Sequence, residues 1–325
     1  MEIPTELHCK AHELPFQASE GAIWCAKGCR YPVTRGIPRF VESGNYAKSF
    51  GRQWNEWRRT QLDSVSGISI TRDRLERCLG GRLDVVRHKS VLEAGCGAGR
   101  FTEVLLGAGA RVLSFDLSTA VDACRENIGE RPDHYVFQAD IDDAPIASGA
   151  FDIVICLGVL QHTPSPERSI ENLARFVRPG GLLVIDHYAP HDSRNDQSHR
   201  SASRVVLRTI AIRLPPRIAF TLIRMICRVL IPIHRILRRP DRFRGQGRLR
   251  SWFRRFSPVM DYYESLPNLA DVEAWMTLDT HDALTDRYKH HRTVEEIRSA
   301  LMSAGLVVEA VYYDGNGVEA RARRR

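Results

Sequence analysis

The chain has 325 residues, of which 43% are hydrophobic and 26% are charged, as in an ordinary globular protein with a substantial core. Its first residues lack a basic segment followed by an apolar one, and its eight cysteines do not form the framework of a disulfide-stabilised domain. The composition therefore argues against a secreted, disulfide-rich protein and favours a location in the cytoplasm.

The positive charge is concentrated in one segment. The net charge is +8, but residues 200–256 hold sixteen Arg, no Lys and one acid, a net charge of +15 that leaves −7 for the rest. A general nucleic-acid binder would spread its positive charge more widely. This segment is therefore expected to have an electrostatic task of its own.

Residues 1–43 are predicted to form a separate module that binds zinc. Two short-spaced pairs of candidate ligands occur there, Cys9 with His12 and Cys25 with Cys29. Ligand pairs on two turns are typical of a structural zinc ribbon. The alternative is a small hairpin domain in which the cysteines only pack.

The stretch VLEAGCGAGR predicts a ligand-binding turn. Val91–Glu93 is predicted as a buried strand, residues 101–106 as a helix, and GARVLSFDLS as a second strand that ends at Asp116. The three elements make a right-handed βαβ unit, and such units bind ligands at the carboxyl ends of their strands.

Three kinds of ligand compete for this turn. A phosphate loop would need Gly-Lys-Ser/Thr, and a dinucleotide site would need Gly-x-Gly-x-x-Gly, but the chain has Gly-x-Gly-x-Gly. Glu93 precedes the first glycine and would repel a pyrophosphate. A cationic ligand with a ribose fits better, because Glu93 would face its positive charge and Asp116 would accept hydrogen bonds from the ribose hydroxyls.

Within the basic segment, the sequence predicts a helix from Pro216 to Ile231 that ends before Pro232. Arg217, Arg224 and Arg228 would share an arc of about 40° on a surface that is otherwise apolar. The helix is too short and too charged to cross a bilayer of about 30 Å.

Two interpretations of this helix stay open. In one, it lies on a membrane surface or an amphiphilic substrate, with Phe220, Ile223 and Leu230 in the apolar layer. In the other, it is a lid packed on the core with its arginines in water.

The end of the chain predicts a helix and a β-hairpin. Thr293 and Glu296 make a capping box, and Gly305 ends the helix that follows. LVVEAVYY and GVEARARRR are then predicted as two strands joined by a Gly-Asn-Gly turn.

With these parts in order, the sequence resembles the class I S-adenosylmethionine-dependent methyltransferases, whose first motif reads acid-x-Gly-x-Gly-x-Gly. The resemblance continues through YVFQADIDDAP, CLGVLQHTP and VRPGG to Tyr188, over about a hundred residues. It implies an α/β fold of the Rossmann-like class I methyltransferase kind, a seven-stranded, mostly parallel sheet with an antiparallel closing hairpin. The competing interpretation is a tight structural turn with acids that only cap or turn the chain.

The resemblance also implies the cofactor, S-adenosyl-L-methionine, and the residues that hold it. They are Glu93, Gly95, Gly97, Gly99, Asp116, Leu117, Asp140, Ile141 and Leu157.

The flanking segments resemble parts of related proteins. YPVTRGIPRF is similar to a zinc-ribbon-like domain fused ahead of bacterial methyltransferases, and FGRQW resembles the start of a helical cap in one subgroup. Gln53 and Trp54, with Phe50, are on that basis candidates for the substrate wall, unless they only pack the cap onto the core. The chain divides into residues 1–43 (zinc-ribbon-like module), 44–88 (helical cap), 89–190 (cofactor-binding core), 191–270 (arginine-rich helical insertion or lid) and 271–325 (C-terminal helix and closing hairpin).

The candidate catalytic residues follow what the resemblance makes the fourth and fifth strands of the sheet, or precede the last helix. Methyl transfer often requires removal of one proton, and His162, in LGVLQHTP, is the best-placed base. His187 and His291 are further catalytic candidates, and Tyr188 and His290 are substrate candidates. For each, a surface or capping role is the alternative.

The acceptor is expected to be a small molecule, a lipid or a saccharide, methylated on oxygen or on carbon. The Asp/Asn-Pro-Pro-aromatic motif of many enzymes that methylate base amines is missing after strand four. RNA is the runner-up, because a zinc ribbon and the basic segment can both bind phosphates. A catalytically silent binding partner is a third possibility, and peripheral membrane contact through residues 216–231 a further expectation.

Overall fold

The computed structural model describes residues 2–42, 44–190, 202–238, 246–315 and 317–325. Within these residues the chain forms a five-stranded sheet at the N-terminus and a seven-stranded central sheet. The predicted insertion begins at 191, but residues 191–201 and 239–245 lie outside the described part. In that part, no helix is both long enough and apolar enough to cross a membrane.

The N-terminal sheet is antiparallel, and its strands are neighbours in chain order. They are β1 (His8–Cys9), β2 (Leu14–Ser19), β3 (Ala22–Cys25), β4 (Arg30–Thr34) and β5 (Ile37–Pro38). The sheet is joined to the rest of the protein by backbone hydrogen bonds, from the N–H of His8 to the carbonyl of Pro145 (2.9 Å) and from the N–H of Phe40 to that of Gln138 (2.8 Å).

Three short helices follow, α1 (Lys48–Glu56), α2 (Asp63–Ser66) and α3 (Ile70–Cys78). Helix α3 is tied to the core through two arginines. Arg74 forms an ion pair with the fully buried Asp186, and Nε of Arg77 lies 3.1 and 3.0 Å from the two carboxylate oxygens of the fully buried Glu319.

The central sheet has the predicted class I methyltransferase architecture. In chain order, its strands and the helices between them are β6 (Ser90–Ala94), α4 (Arg100–Gly107), β7 (Arg111–Asp116), α5 (Ala120–Ile128), β8 (His134–Gln138), β9 (Phe151–Cys156), α6 (Pro166–Phe176), β10 (Val177–His187), α7 (Ala202–Ala211), α8 (Pro216–Arg238), α9 (Gln246–Phe256), α10 (Val272–Thr285), α11 (Val294–Ser303), β11 (Leu306–Asp314) and β12 (Gly317–Arg324). The strand order is β11-β12-β10-β9-β6-β7-β8, and β12 is antiparallel to both neighbours. The expected closing hairpin is thereby confirmed.

The strand order places a ligand site. The sheet begins with β6 near its middle. Strands β7 and β8 follow on one side and β9 and β10 on the other, so the order reverses beside β6. In open α/β sheets the crevice for ligands lies at such a switch point, at the carboxyl ends of the strands. The strands that flank it are covered on both faces, and Leu92, Val154 and Val184 are fully buried.

Helix α8 is longer than predicted. It runs to Arg238 with Pro232 inside it, so the predicted end before Pro232 is wrong. The lost backbone hydrogen bond is offset by packing on both sides of the proline, because Ile231 and His234 are buried. Nδ1 of His234 also lies 3.1 Å from a carboxylate oxygen of Asp261.

The inner face of α8 packs like a lid. Ile223 is buried in the core of the insertion with α10, and Leu230 is partly buried there. Phe220 is buried against the rings of Trp57 and of His281 in α10. Of the two interpretations of this helix, the one that places these three side chains in a membrane is therefore wrong for Phe220 and Ile223. The reason is that the chain itself covers that face, with Met276 of α10 among its neighbours.

The predicted capping box is present at the start of α11. The hydroxyl of Thr293 accepts a hydrogen bond from the N–H of Glu296 (3.2 Å), whose carboxylate accepts one from the N–H of Thr293 (2.8 Å). We expect Thr293→Ala to lower the free energy of unfolding by about 1 kcal/mol, because an N-terminal N–H loses its partner. Chemical denaturation measures the change. Ser299→Ala, on the exposed side of the same helix, is the control and should leave stability unchanged or slightly raised.

Candidate cofactor and substrate site

A cavity opens at the carboxyl ends of the central strands, beneath α1. Its lining comes from α1, from the glycine loop after β6 and from the loops after β7, β8 and β9. The lining residues are Tyr46, Ala47, Phe50, Trp54, Gly95, Cys96, Gly97, Ala98, Arg100, Phe101, Phe115, Asp116, Leu117, Ala139, Asp140, Ile141, Leu157, Gly158, Val159, His162 and Thr163. The largely apolar lining with a few polar groups is typical of a small-molecule site.

The glycines of the loop serve two purposes. Gly95 and Gly97 line the cavity with positive φ, and a Cβ at Gly95 would collide with Val159. Gly99 does not line the cavity. It precedes α4 with a φ of +89°, and a Cβ there would lie 2.9 Å from Sγ of Cys124 in α5. Its absence of a side chain therefore allows the two helices to approach each other.

Asp116 organises the loop and also faces the cavity. One carboxylate oxygen accepts a hydrogen bond from the N–H of Gly97 (3.0 Å), and the other accepts from the N–H (2.8 Å) and hydroxyl (2.7 Å) of Ser118. A carboxylate has about four acceptor positions, so a lone pair is left for a ligand. Burial raises the pKa of Asp116, an effect that these three hydrogen bonds oppose.

The other side chains predicted at the cofactor line the same cavity. Leu117 follows Asp116, and Asp140 and Ile141 follow β8, while Leu157 follows β9. Asp140 caps its own turn by accepting a hydrogen bond from the N–H of Asp142 (2.9 Å). The structure thus brings together an acid after β7 and an acid after β8, with apolar side chains beside them.

Glu93 is placed differently from the prediction. Its carboxylate lies below the loop, where it accepts hydrogen bonds from the hydroxyls of Thr102 (2.5 Å) and Ser114 (3.3 Å), and it is not part of the cavity lining. Burial raises the pKa of Glu93 to about 8, so that the neutral acid predominates at pH 7. In this geometry Glu93 does not reach the cavity, where a positively charged ligand would lie, and instead connects α4 to β7.

His162 lies at the rim of the cavity in a 3-10 turn, Leu160–His162. Its Nδ1 is 3.1 Å from the carbonyl oxygen of Tyr288 and 3.8 Å from a carboxylate oxygen of Asp286. A carbonyl only accepts, so Nδ1 carries the proton and Nε2 of the neutral ring is left as an acceptor. The ring also packs against Phe50, with centroids 5.2 Å apart.

Three further predicted residues gather near His162. Tyr188 stands edge-on to the His162 ring at 5.5 Å, and the His291 ring lies 6.2 Å from Tyr188. His290 follows the same loop, and its N–H donates to the carbonyl of Gln161 (2.9 Å). The structure therefore groups three substrate or catalytic candidates around His162, but of these four residues only His162 lines the cavity.

His187 and Gln53 lie elsewhere. His187 is fully buried in β10 outside the cavity lining, where burial lowers its pKa to about 4, so the structure does not bring this catalytic candidate to the cavity with His162. Neighbouring residues of a strand face opposite sides, and Asp186 takes the side toward the cap. Gln53 is also buried and bonds His281 (2.7 Å) and Asp282 (3.2 Å), whereas Trp54 lines the cavity beside Gly97.

Several lining residues were not predicted from the sequence. The clearest is Arg100, which lines the cavity and donates to the side-chain oxygen of Gln61 (2.6 Å). Burial lowers the pKa of Arg100 to about 10, which still leaves it charged at pH 7. Its position directly after the third glycine, at the first residue of α4, could have indicated from the sequence that Arg100 borders the ligand site.

A second cluster lies in the N-terminal sheet. Cys9, His12, Cys25 and Cys29 present ligand atoms that all lie within 4.8 Å of one another. Nδ1 of His12 is 3.5, 3.4 and 3.5 Å from the sulfurs of Cys9, Cys25 and Cys29. In a tetrahedron with Zn–S bonds of ~2.3 Å and a Zn–N bond of ~2.0 Å, the N-to-S edges are about 3.5 Å. The four predicted ligands therefore fit a tetrahedral metal.

The comparisons with known proteins agree with this geometry. A family model described as a methyltransferase domain matches residues 92–185. The Coxiella burnetii ubiquinone biosynthesis O-methyltransferase is 34% identical over 102 residues, 31% of this chain and 44% of that protein. The Enterobacter lignolyticus malonyl-[acyl-carrier protein] O-methyltransferase is 34% identical over 153 residues, 45% of this chain and 54% of that protein.

The similarity is confined to part of each protein, since the chain spans about half the length of these curated relatives. Among solved structures, an S-adenosylmethionine-dependent methyltransferase from Mesorhizobium loti is 18% identical with a TM-score of 0.42, covering 74% of this chain and 92% of that one. The strand order, the cavity at the switch point and the matched domain lead to one conclusion. Residues 92–185 are a methyltransferase domain, within a sheet that has the strand order of the class I S-adenosylmethionine-dependent methyltransferases.

Proposed function

We propose that the protein binds S-adenosylmethionine in the cavity and transfers its methyl group to a small-molecule acceptor, preferably to an oxygen. The observation that carries the proposal is the joint placement of Asp116, the glycine loop and His162 around one cavity. Eight unpaired thiols suit a reducing cytoplasm as the place of action.

The residues present fit the cofactor. Asp116 retains an acceptor position for ribose hydroxyls. Asp140 offers a polar group for the adenine ring, and Ile141 and Leu157 offer an apolar surface for it. A Cβ at Gly97 would lie 3.3 Å from the Trp54 ring in the cavity wall, so the missing side chain keeps this part of the cavity free for a ligand. When bound, S-adenosylmethionine supplies a methyl group already activated on a sulfonium, so the protein has to orient the acceptor, exclude water and remove a proton.

His162 is our candidate for the proton acceptor. The hydrogen bond of Nδ1 to the carbonyl of Tyr288 holds the tautomer in which Nε2 is basic. Asp286, fully buried 3.8 Å from Nδ1, would stabilise the charged ring once Nε2 has taken a proton. Arg208 of α7 donates to Asp286 (2.6 Å), so the insertion helps to position this base.

A small acceptor suits the enclosed site better than a polymer. The aromatic side chains of α1, Phe50 and Trp54, close over the cavity beside the glycine loop. The two relatives named above are O-methyltransferases of ubiquinone biosynthesis and of malonyl-acyl carrier protein, which supports O-methylation of a small or carrier-linked acceptor here. RNA is the alternative acceptor, and a silent binding partner the alternative to an enzyme.

We also propose a structural zinc ion held by the four ligands of the N-terminal sheet. Three soft thiols and an imidazole are a donor set that zinc prefers, and three protein sulfurs with one nitrogen leave no open position for catalysis. The ion would stabilise a module that is too small to depend on its own apolar core.

The first prediction from these proposals concerns cofactor binding. We expect micromolar affinity for S-adenosylmethionine, and a loss of at least about ten-fold in Asp116→Ala, because hydrogen bonds to a charged group contribute about 1.5–3 kcal/mol each. Isothermal titration calorimetry measures both. Asp133→Ala, a partly exposed acid in the turn before β8 that lies outside the cavity lining, is the matched control and should bind like wild type. No binding by wild type would contradict the proposed function.

The second prediction concerns the base. His162→Gln should lower methyl transfer at least about a hundred-fold while leaving cofactor affinity within a few-fold, because general bases contribute 10²- to 10⁴-fold. The assay follows labelled methyl from S-adenosylmethionine into the small-molecule and RNA fractions of a cell extract. The control is His88→Gln, an exposed residue before the start of β6. Label found only in RNA would favour the alternative acceptor.

The third prediction concerns zinc. Protein produced with zinc present should contain about one zinc per chain, and Cys25→Ser/Cys29→Ser should contain none, because two of four ligands are removed. Elemental analysis provides the measurement, and Cys227→Ser, in the insertion, is the control. A wild-type protein free of metal would refute the zinc proposal and leave the cofactor proposal untouched.

A further inference from the structure

The outer surface of the insertion is unusually apolar and basic. Of the large hydrophobic side chains that are exposed in the described residues, twelve lie on or directly after α7, α8 and α9, between 36% and 63% exposed. They are Val205, Val206, Ile210, Ile212, Ile218, Met225, Val229, Ile233, Ile236, Leu249, Trp252 and Phe256. Residues 202–238 and 246–256 contain twelve Arg and no Lys, Asp or Glu.

On α8 the exposed side chains form a stripe opposite the buried face. At about 100° per residue, its five exposed apolar residues, from Ile218 to Ile236, fall within an arc of about 80°. The buried residues, among them Ile223 and Cys227, centre about 150° away. The helix therefore has two apolar faces, one of which packs on the protein and one of which is covered by no described residue.

Arginines run along one side of this stripe. Arg217, Arg224, Arg228 and Arg235 share an arc of about 40° that lies beside the exposed apolar stripe. Arg224 and Arg235 pair with Glu56 and Glu273, whereas Arg217 and Arg228 make no ion pair with any described residue. A cationic row next to an apolar row is the pattern of a helix that lies in a membrane interface.

Helix α9 repeats the pattern and adjoins both α7 and α8. Leu249, Trp252 and Phe256 are spaced i, i+3 and i+7, so they share one face, and the Trp252 and Phe256 rings lie 5.2 Å apart. Arg248 and Arg255 flank this face and have no ion-pair partner among the described residues. Tryptophan beside arginine is typical of the membrane–water boundary.

We propose that the outer surface of α7, α8 and α9 binds the surface of an anionic lipid bilayer. The charge and the apolar stripe together distinguish among the possible partners of this surface. A second copy of this chain would bring two arginine-bearing faces together, and RNA would engage the arginines but leave the apolar stripe in water. An anionic bilayer satisfies both, with headgroups at the arginines and acyl chains at the stripe. This surface is distinct from the cofactor cavity, and its test does not depend on methyl transfer.

The experiment is co-sedimentation of the full-length protein with vesicles of equal parts phosphatidylglycerol and phosphatidylcholine, compared with vesicles of phosphatidylcholine alone. Wild type should bind the anionic vesicles more tightly. Ile218→Ser/Met225→Ser/Val229→Ser/Ile236→Ser should weaken that binding by about a hundred-fold or more, because four apolar side chains no longer enter the layer. Arg217→Gln/Arg228→Gln should weaken it about thirty-fold, because each cation near an anionic surface contributes about five-fold.

The matched control is Met302→Ser/Val307→Ser, two exposed apolar residues on α11 and β11 that should not affect vesicle binding. All variants change exposed side chains, and unchanged cofactor affinity and circular dichroism confirm that they fold. No vesicle binding by wild type overturns the proposal. So does binding to bulk RNA, or self-association in sedimentation velocity, if it occurs without vesicle binding.

Discussion

The backbone turn between β6 and α4 is the constraint on which the site depends. The chain leaves a buried strand and enters a helix within five residues, and its three glycines all have positive φ. The N–H of Gly97 is held by Asp116, the same acid that we propose for the ribose. Since a Cβ at Gly95 would collide with Val159, a loop with side chains would close the cavity and push the loop after β9 away. The same glycines thus allow both the tight turn of the βαβ unit and the space for a ligand.

Buried acids connect the variable segments to this core. Asp186, fully buried in β10, accepts a hydrogen bond from the N–H of Gly158 in the cavity wall (2.6 Å) and pairs with Arg74 of the cap. Asp286 in turn links Arg208 of the insertion to His162. Removing one partner of such a pair leaves an uncompensated buried charge, which typically costs 3–5 kcal/mol. Cap and insertion are therefore held in register with the cavity.

The N-terminal module also protects the central sheet. Strand β8 is an edge strand, and its last residue, Gln138, bridges in parallel to Arg39. Arg39 donates to Asp122 of α5 (2.6 Å), and the Phe40 ring packs edge-on to Phe137 at 5.7 Å. Covering an exposed edge removes a template for pairing with another chain. The proposed zinc ion would stabilise this cover from its other end.

Local patterns were enough to predict much of the protein. The glycine spacing with Asp116, the capping box at Thr293, the closing hairpin and the four clustered ligands all depend on residues close in sequence or on turns with few possible conformations. The right-handed βαβ unit followed from the residues themselves. The complete Rossmann-like fold was implied by the resemblance of these parts, in this order, to the class I methyltransferases.

Tertiary structure alone decided which side chains face the cavity. The strands of a parallel sheet are buried on both faces, so alternation could not tell that Glu93 points beneath the loop or that His187 points away from it. In the same way, packing around Ile231 carried α8 through Pro232 and turned Phe220 inward. The sequence by itself determined the loop, its acid and the order of the elements, since these depend on short-range geometry. Which polar groups reach the ligand and which apolar face is left outside depended on contacts between residues far apart in the chain, because burial is a property of the assembled fold.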